Sequence, residues 1–252
     1  MSPKVIIVTG VSRGIGRAIV NKIIGLNSNA VVFGIARTSA PLKELKSKHG
    51  EKFFYIVGDV TNKSDVKKLI TAAIDKFGRL DSVVANAGVL EPVAEVGKVD
   101  EEAWKRLFDI NFFSIVSLVQ STLPFMENTN RNYVFVSSGA SVKAYFGWAA
   151  YSASKAALNS FAMSVANEKP KVKTISVAPG VVDTQMQVDI REKYGNEMTT
   201  ESLKRFIDLH KNGELLDSDV PGEVYAKLAV NGIPDELNGK YSRYNDDRLA
   251  SL

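Results

Sequence analysis

Short apolar runs rich in β-branched residues alternate along this chain with longer segments whose apolar residues recur every three to four positions. The short runs predict seven strands, at 5–8, 31–35, 53–57, 82–85, 133–137, 174–178 and 240–244. The longer segments predict helices at 15–26, 42–49, 65–77, 101–123 and 153–168. Because strands and helices alternate, the pattern predicts an α/β fold, with a doubly wound, mostly parallel sheet and helices on both faces.

One long stretch, at about 181–221, does not follow this alternation. We interpret this stretch as an insertion before the last strand that holds two helices, at about 200–210 and 220–228. An insertion after the carboxyl end of a strand is a natural lid, and the polar run 191–197 indicates a mobile surface segment that orders when a ligand binds. No linker or repeat is visible, so we expect residues 1–252 to form a single catalytic domain that carries this lid.

Composition excludes several classes of function. The formal net charge is +4, but basic residues are interspersed with carboxylates, as on solvated helix faces, so we expect no nucleic-acid partner. The chain has no cysteine, and His49 and His210 are far apart in polar surroundings, so we expect no metal site. The amino-terminal apolar run is too short for a signal peptide, and no uninterrupted apolar stretch is long enough to span a membrane. We therefore expect a cytoplasmic protein without a membrane partner.

A glycine-rich turn follows the first predicted strand and opens the first helix. Residues 9–16 read TGVSRGIG. Glycines allow a tight turn and a close approach of backbone amides to a pyrophosphate, and the helix amino terminus adds unpaired N–H donors. An ordinary strand-to-helix turn has little reason to use three glycines at this spacing. The motif predicts a Rossmann-type dinucleotide site formed by Gly10, Ser12, Arg13, Gly14, Ile15 and Gly16.

The end of the second predicted strand favours NADP(H) over NAD(H). An NAD enzyme would place an acidic side chain here to bind the ribose 2′-hydroxyl, but the chain has Ala36 followed by Arg37. The guanidinium of Arg37 can pair with a 2′-phosphate, and Arg13 can add a second cation. Alternatively, Arg37 is a plain loop arginine.

Two further motifs follow the third and fourth predicted strands. Asp59 and Val60 come after one, and Asn86, Ala87 and Gly88 after the other. The carboxyl ends of parallel strands are where ligands bind in open α/β sheets, so we predict cofactor contacts at both. Each motif also has a structural explanation: Asp59 could cap the next helix, and 86–88 could be a simple turn.

Tyr151 and Lys155 are four residues apart and would share one face of a helix. A nearby ammonium favours the ionised form of a phenol, so the pair predicts a lowered pKa for Tyr151 and a role in proton transfer. By itself, such a spacing also arises by chance on a solvated helix face.

Taken in order, these motifs resemble the short-chain dehydrogenase/reductase family over nearly the whole chain. They are TGVSRGIG at 9–16, Asp59-Val60, ANAG at 85–88, Asn111, Ser138, YSASK at 151–155, and Pro179-Gly180 leading to Thr184. The resemblance implies that Tyr151 is the general acid/base, Lys155 its pKa-lowering partner and a ribose ligand, and Ser138 the residue that holds the substrate carbonyl. It also implies that Asn111 organises a proton-relay water, and that Pro179, Gly180, Val182 and Thr184 join the cofactor site.

The residue types suit carbonyl reduction, which needs a proton donor and hydrogen-bond donors aimed at the oxygen where negative charge builds. Spacing alone leaves Ser137 open as an alternative to Ser138. Asn111 could instead be a buried polar residue in the 101–123 helix, where it would need some hydrogen-bond partner.

Three stretches, FGWAAYSASKAAL at 146–158, APGVVDTQMQ at 178–187 and KNGELLDSDV at 211–220, resemble the sepiapterin and benzil reductase branch of the family. The last predicted strand lacks the acidic residue with which sepiapterin reductases anchor the pterin. The resemblance therefore implies an NADPH-dependent reductase of an apolar or aromatic ketone, with an α-diketone such as benzil ahead of a pterin. A non-catalytic NADP-binding sensor or scaffold is a further alternative. We also expect a homo-oligomer, a dimer or tetramer. Five residues are candidates for an apolar substrate pocket: Tyr145, Phe146, Trp148, Met186 and Phe206. Alternatively these side chains, Trp148 above all, pack the core.

Overall fold

A computed structural model describes residues 2–27, 29–126 and 131–250. Seven strands form one sheet: β1 (Lys4–Thr9), β2 (Ala30–Ala36), β3 (Phe53–Val57), β4 (Ser82–Ala85), β5 (Arg131–Val136), β6 (Val172–Ala178) and β7 (Lys240–Arg243). They lie in the order β3-β2-β1-β4-β5-β6-β7, and every neighbouring pair is parallel. The chain order reverses between β1 and β4, and at such a switch point the loops leave the sheet in opposite directions and open a crevice. The predicted fold class is therefore confirmed.

Helices cover both faces of the sheet. They are α1 (Gly14–Leu26), α2 (Ser39–His49), α3 (Lys63–Phe77), α4 (Glu101–Phe108), α5 (Ser114–Thr122), α6 (Ala149–Glu168), α7 (Gln185–Glu192), α8 (Thr200–Lys211) and α9 (Asp219–Asn231). One face is packed by apolar residues of α1 and α9, including Ile19, Ile23 and Leu228. The other is packed by residues of α3, α5 and α6, including Leu69, Leu118 and Leu158. Strands buried on both sides explain why they read as continuous apolar runs.

The helix expected over 101–123 is not continuous. A π-helical turn, Asp109–Phe113, separates α4 from α5. Such turns insert one residue into the helix and are frequent at functional sites. The combined segment Glu101–Phe125 is long and apolar enough to meet the length and composition of a membrane span. Ile115, Leu118 and Val119 within it are buried in the core of the described structure.

The insertion near 181–221 holds one helix more than expected. α7 was not predicted because its eight residues are mostly polar, whereas α8 and α9 match the predicted helices with longer bounds. The polar run 191–197, expected to be a mobile surface segment, is packed at one of its own positions and at the next residue. Tyr194 and Met198 are buried in a third apolar cluster, with Trp148 and Phe206. This cluster lies outside the two main cores and brings the insertion against the start of α6.

Candidate active site

A cleft of about 570 Å³ opens at the carboxyl edge of the sheet and extends from the glycine turn to α7 and α8. Most of the residues predicted for the site line it. On the cofactor side these are Gly10, Ser12, Arg13, Gly14, Ile15, Gly16, Arg37, Asp59, Val60, Asn86, Ala87, Gly88, Pro179, Gly180, Val182 and Thr184. On the reactive side they are Ser138, Tyr145, Trp148, Tyr151, Lys155, Met186 and Phe206. Two predicted residues, Asn111 and Phe146, are not among the lining residues.

The glycine turn is shaped by close backbone approach. A Cβ added at Gly16 would lie 2.2 Å from the carbonyl oxygen of Gly10, and Gly10 itself has a φ of +72°. Only glycine fits such positions without displacing backbone. Helix α1 begins at Gly14, and no side chain caps its first N–H groups. These donors face the cleft with a partial positive charge, so the turn fits the pyrophosphate of a dinucleotide.

Hydrogen bonds between residues 9–10 and 86–87, called here the Thr9–Asn86 lock, join this turn to the end of β4. The Thr9 hydroxyl accepts hydrogen bonds from the backbone N–H groups of Asn86 and Ala87, each at 3.0 Å. The Asn86 side chain donates in return to the carbonyl oxygens of Thr9 at 2.9 Å and Gly10 at 3.1 Å. Asn86 is therefore more than part of a simple turn. Sequence analysis did not single out Thr9, although it begins the motif at 9–16.

Two arginines flank the cofactor half of the cleft without protein partners. Arg13 and Arg37 are exposed, and neither side chain has an ion pair or hydrogen bond in the described residues. By contrast, Arg17 on α1 is held by Glu44 of α2 at 2.9 Å. Guanidinium groups without a protein partner, one after β2 and one in the glycine turn, can pair with a phosphate.

Asp59 does not cap α3. Its Oδ1 accepts from the backbone N–H of Thr61 at 2.9 Å and from the Thr61 hydroxyl at 2.8 Å. The residue that caps α3 is Asn62, whose side chain accepts from the N–H of Ser64. The alternative role considered for Asp59 is therefore wrong, and its local bonds shape the turn that lines the cleft.

Tyr151 and Lys155 lie in the first two turns of α6, and both are buried. The Lys155 Nζ is 5.8 Å from the centre of the Tyr151 ring and donates to the carbonyl oxygen of Val136 at 2.8 Å. Burial lowers the pKa of Lys155 to about 8. The pair is therefore a contact on one helix face, and the ammonium is anchored to the end of β5.

The expected lowering of the Tyr151 pKa does not appear as the net effect. Burial raises the pKa of Tyr151, and the nearby Ser138 hydroxyl only partly opposes that increase. Removing a phenolate from water costs more here than the Ser138 hydroxyl recovers. The phenol of Tyr151 consequently keeps its proton at neutral pH.

The surroundings of the two serine candidates differ. The Ser138 hydroxyl lies close enough to Tyr151 to oppose the increase in its pKa, and its Oγ accepts from the N–H of Ala140 at 3.1 Å. Ser137 lies one residue earlier, but its hydroxyl donates to the Asn159 side chain at 2.7 Å. The geometry therefore selects Ser138 as the hydroxyl beside Tyr151.

Asn111 lies in the π-helical turn and is fully buried. Its side chain accepts from the N–H of Val89 and donates to the carbonyl oxygen of Val89, both at 2.8 Å, and its Nδ2 donates to Ser154 at 3.2 Å. The expected hydrogen-bond partner exists. Because these bonds use its polar atoms, the direct role of Asn111 is to join the turn after β4 to α6, one residue away from Lys155.

Three of the predicted pocket residues form a stacked aromatic wall. The ring of Trp148 lies 4.9 Å from Tyr145, 5.4 Å from Phe206 and 5.9 Å, edge on, from Tyr151. Met186 lines the same part of the cleft. Phe146 does not match its prediction: it is 42% exposed and lies outside the cleft, since its neighbour Gly147, at a φ of +77°, turns the chain here.

Charged residues that the sequence did not identify complete the substrate half. Glu91 accepts hydrogen bonds from Lys193 and from the Tyr194 hydroxyl, both at 3.1 Å, and so joins the loop after β4 to the end of α7. Lys143, Arg205 and Arg243 also line this half. They come from separate segments, and no local sequence pattern relates them.

The comparisons with known proteins identify the family of this chain. The sequence profile described as short chain dehydrogenase matches residues 4–195. An oxidoreductase of Saccharomyces cerevisiae described as uncharacterized is 58% identical over 99% of this chain and 98% of its own length. A Saccharomyces cerevisiae benzil reductase ((S)-benzoin forming) is 52% identical over 99% of this chain and 98% of its own length.

A solved structure shows the same fold. The crystal structure of a short-chain dehydrogenase/reductase from Saccharomyces cerevisiae superposes with a TM-score of 0.97 at 58% identity, over 98% of each chain. The chain therefore belongs to the short chain dehydrogenase family, whose members are oxidoreductases that act on CH–OH and C=O groups with a nicotinamide cofactor.

Proposed function

We propose that this protein is an NADPH-dependent carbonyl reductase that converts an apolar or aromatic ketone, foremost an α-diketone such as benzil, into a hydroxyketone. The observation that carries the proposal is the adjacency of two features: the hydroxyl pair of Tyr151 and Ser138, and the aromatic wall whose Trp148 contacts Tyr151 edge on. The name of the 52% identical benzil reductase supports the same substrate class.

The cofactor choice is supported by Arg37 and Arg13, the two unpaired cations at the end of β2 and in the glycine turn. The turn at Gly10 and Gly16 would hold the pyrophosphate, and Lys155 would bind the nicotinamide ribose. When bound, the cofactor supplies the hydride.

The protein's own groups manage the proton and the charge on oxygen. Because burial raises its pKa, Tyr151 is protonated at neutral pH and can donate to the carbonyl oxygen as hydride arrives at carbon. Ser138 adds a second hydrogen bond to that oxygen. Lys155 holds a positive charge close by, which stabilises the phenolate left after the transfer. Asn111 fixes the backbone of Val89 and the face of α6 that carries both residues.

A bulky diketone is favoured over a pterin or a small ketone by the lining of the pocket. Tyr145 is the half-buried ring of the aromatic wall, and the buried rings of Trp148 and Phe206 pack behind it. Apolar area that a ligand removes from water at this wall is worth about 25 cal/mol per Å². The residue of β7 that lines the cleft is Arg243, where a pterin site would need an acid.

The test measures NADPH oxidation with benzil and with butane-2,3-dione, in wild type and in Phe206→Ala and Met186→Ala variants, with thermal melts alongside. We expect a higher kcat/KM for benzil than for butane-2,3-dione in wild type. In both variants we expect this benzil-to-butanedione ratio of kcat/KM to be smaller, with a clear change in KM and little change in melting temperature. Val220→Ala, an exposed apolar residue outside the cleft, is the matched control. Equal kcat/KM values for the two diketones would defeat the aromatic pocket, and loss of melting temperature at a constant ratio would mean that Phe206 and Met186 only pack the core.

Three further predictions accompany this proposal: one catalytic domain with the segment 181–221 as its lid, a cytoplasmic location, and a homo-oligomer. Sedimentation at several protein concentrations tests the last of these directly.

A further inference from the structure

Three cations in the substrate half of the cleft have no carboxylate partner in the part of the chain that the structure describes. Lys143 follows β5, Arg205 lies on α8 and Arg243 ends β7, and all three line the cleft. None forms an ion pair with another described residue. Their neighbours differ: Lys193 is paired with Glu91, and Lys204, next to Arg205, is paired with Asp208.

Two acidic residues line this half. Glu91 binds Lys193 and the Tyr194 hydroxyl, whereas Asp189 accepts only from the neutral Gln185 side chain at 3.0 Å and keeps its negative charge against the three cations. Uncompensated positive charge inside a concave surface produces a local potential that attracts anions. The protein's net charge of +4 acts in the same direction.

Two of the cations converge on one ring of the aromatic wall. Arg205 Nη1 donates to the Tyr145 hydroxyl at 3.0 Å, and its guanidinium lies 5.8 Å from the centre of the Tyr145 ring. Lys143 Nζ lies 5.6 Å from the centre of the same ring. The hydrogen bond uses one guanidinium nitrogen and leaves the others free to bind a carboxylate.

The position of this pair relative to the chemistry indicates a ligand of defined shape. Tyr145 stacks on Trp148 at 4.9 Å, and Trp148 meets Tyr151 edge on at 5.9 Å, so two rings connect the cation pair to Tyr151. A ligand with its carbonyl at Tyr151 and an aromatic body against the half-buried Tyr145 would bring a distal substituent to Lys143 and Arg205.

We propose that Lys143 and Arg205 form an anion subsite, and that the preferred substrates are aryl ketones with a carboxylate on the ring distal to the reacting carbonyl. This inference rests on the proposed function for the placement of the carbonyl. Arg243 adds positive potential at the same mouth of the cleft.

The experiment compares 4-carboxybenzil with its neutral methyl ester. Isothermal titration calorimetry measures the dissociation constant of each with the protein loaded with NADP⁺, which cannot reduce the diketone, and NADPH oxidation gives kcat/KM in parallel. We expect the acid to bind about threefold to thirtyfold more tightly than the ester, as for a charge-assisted but solvent-accessible pair. Added salt should reduce this ratio.

Substitutions test whether Lys143 and Arg205 cause the tighter binding of the acid than of the ester. Arg205→Met and Lys143→Met should each lower the acid-to-ester ratio, the double variant should bring it to about one, and Arg205→Lys should keep part of it. Lys204→Met is the matched control, since it removes a cation of α8 that lies outside the cleft and should leave the ratio unchanged.

Two results would overturn the inference in distinguishable ways. Equal affinity and turnover of acid and ester would remove the anion subsite and leave the diketone reductase intact. Absence of both binding and turnover for the two compounds would remove the proposed function and the subsite with it. A ratio that survives in the double variant would assign the preference to other residues and contradict the role of Lys143 and Arg205.

Discussion

The two halves of the cleft are built in different ways. In the cofactor half, backbone geometry decides the shape: Gly16 lies against the Gly10 carbonyl, and the Thr9–Asn86 lock holds two strand ends together. In the substrate half, side chains decide it: Tyr145, Trp148 and Phe206 stack across segments distant in sequence.

This difference affects how each half tolerates substitution. A backbone cradle leaves no space for an added atom, so a single methyl group can close it. A wall of side chains can lose one member and still offer apolar surface, so substitution there changes preference more than it abolishes binding. The following predictions test this contrast and the chemistry at the junction of the two halves.

The largest effect is expected for Tyr151→Phe. The variant keeps the ring and its edge-on contact with Trp148 but removes the proton donor, so kcat should fall by roughly 10²–10⁴ while NADPH affinity is retained. Steady-state kinetics and NADPH titration measure the two quantities. Tyr55→Phe on β3 is the control for loss of a phenol elsewhere. If Tyr151→Phe kept most of its activity on every ketone, Tyr151 would not be the proton donor, and the Tyr151–Lys155 spacing would be explained by chance.

The second-largest effect is expected for substitution of Gly16, in the glycine turn that would hold the pyrophosphate. Gly16→Ala would place a Cβ 2.2 Å from the Gly10 oxygen, and overpacking of this kind costs about 1–3 kcal/mol, so NADPH affinity should fall roughly tenfold to a hundredfold. Gly25→Ala in the same helix meets no atom within 4 Å and should be neutral or stabilise the protein by up to about 1 kcal/mol. Wild-type NADPH affinity in Gly16→Ala would show that the cradle is less rigid than its contacts indicate.

Cofactor preference should depend on Arg37. A guanidinium–phosphate pair contributes about 1.5–3 kcal/mol, so Arg37→Asp should lower the ratio of kcat/KM with NADPH to that with NADH roughly tenfold to a hundredfold and reverse it. Arg17→Met, which removes an arginine already paired with Glu44, should leave the ratio near its wild-type value. A wild-type ratio near or below one would contradict the NADP(H) assignment.

The smallest expected effect is a pH dependence of the free energy of unfolding. It arises from Lys155, which lies where the cofactor half and the substrate half of the cleft meet. Between its folded pKa of about 8 and its usual value of 10.5, the unfolded chain binds a proton that the folded protein has lost, so stability increases with pH. Below pH 8 both states are protonated and the cost of burying the charge is present in full. Relative to Lys155→Met, wild type should gain on the order of 2 kcal/mol from pH 8 to 10.

Urea unfolding at several pH values measures this difference. Lys43→Met, on the exposed side of α2, is the control for the loss of a surface charge. Parallel stability curves for wild type and Lys155→Met would show that burial does not perturb this ammonium.

The sequence determined the fold class and the tight glycine turn after the first strand, because both depend on short-range patterns. Seven apolar runs separated by helical periodicity specify a parallel sheet, and three glycines at the first strand-to-helix turn specify the cradle. It also anticipated that Asn111 needs a partner, since a polar residue among apolar neighbours must be satisfied. The π-helical turn around Asn111 was not predictable, because the register of a helix is shifted by what packs against it.

Only the tertiary structure decided the substrate half. It selected Ser138 over Ser137, directed Phe146 outward, and brought Glu91 to Lys193 across about a hundred residues of chain. It also reversed the expected shift of the Tyr151 pKa. A charge four residues away is visible in the sequence, but the loss of water around the phenol depends on every segment that covers it, and here that loss is the larger effect.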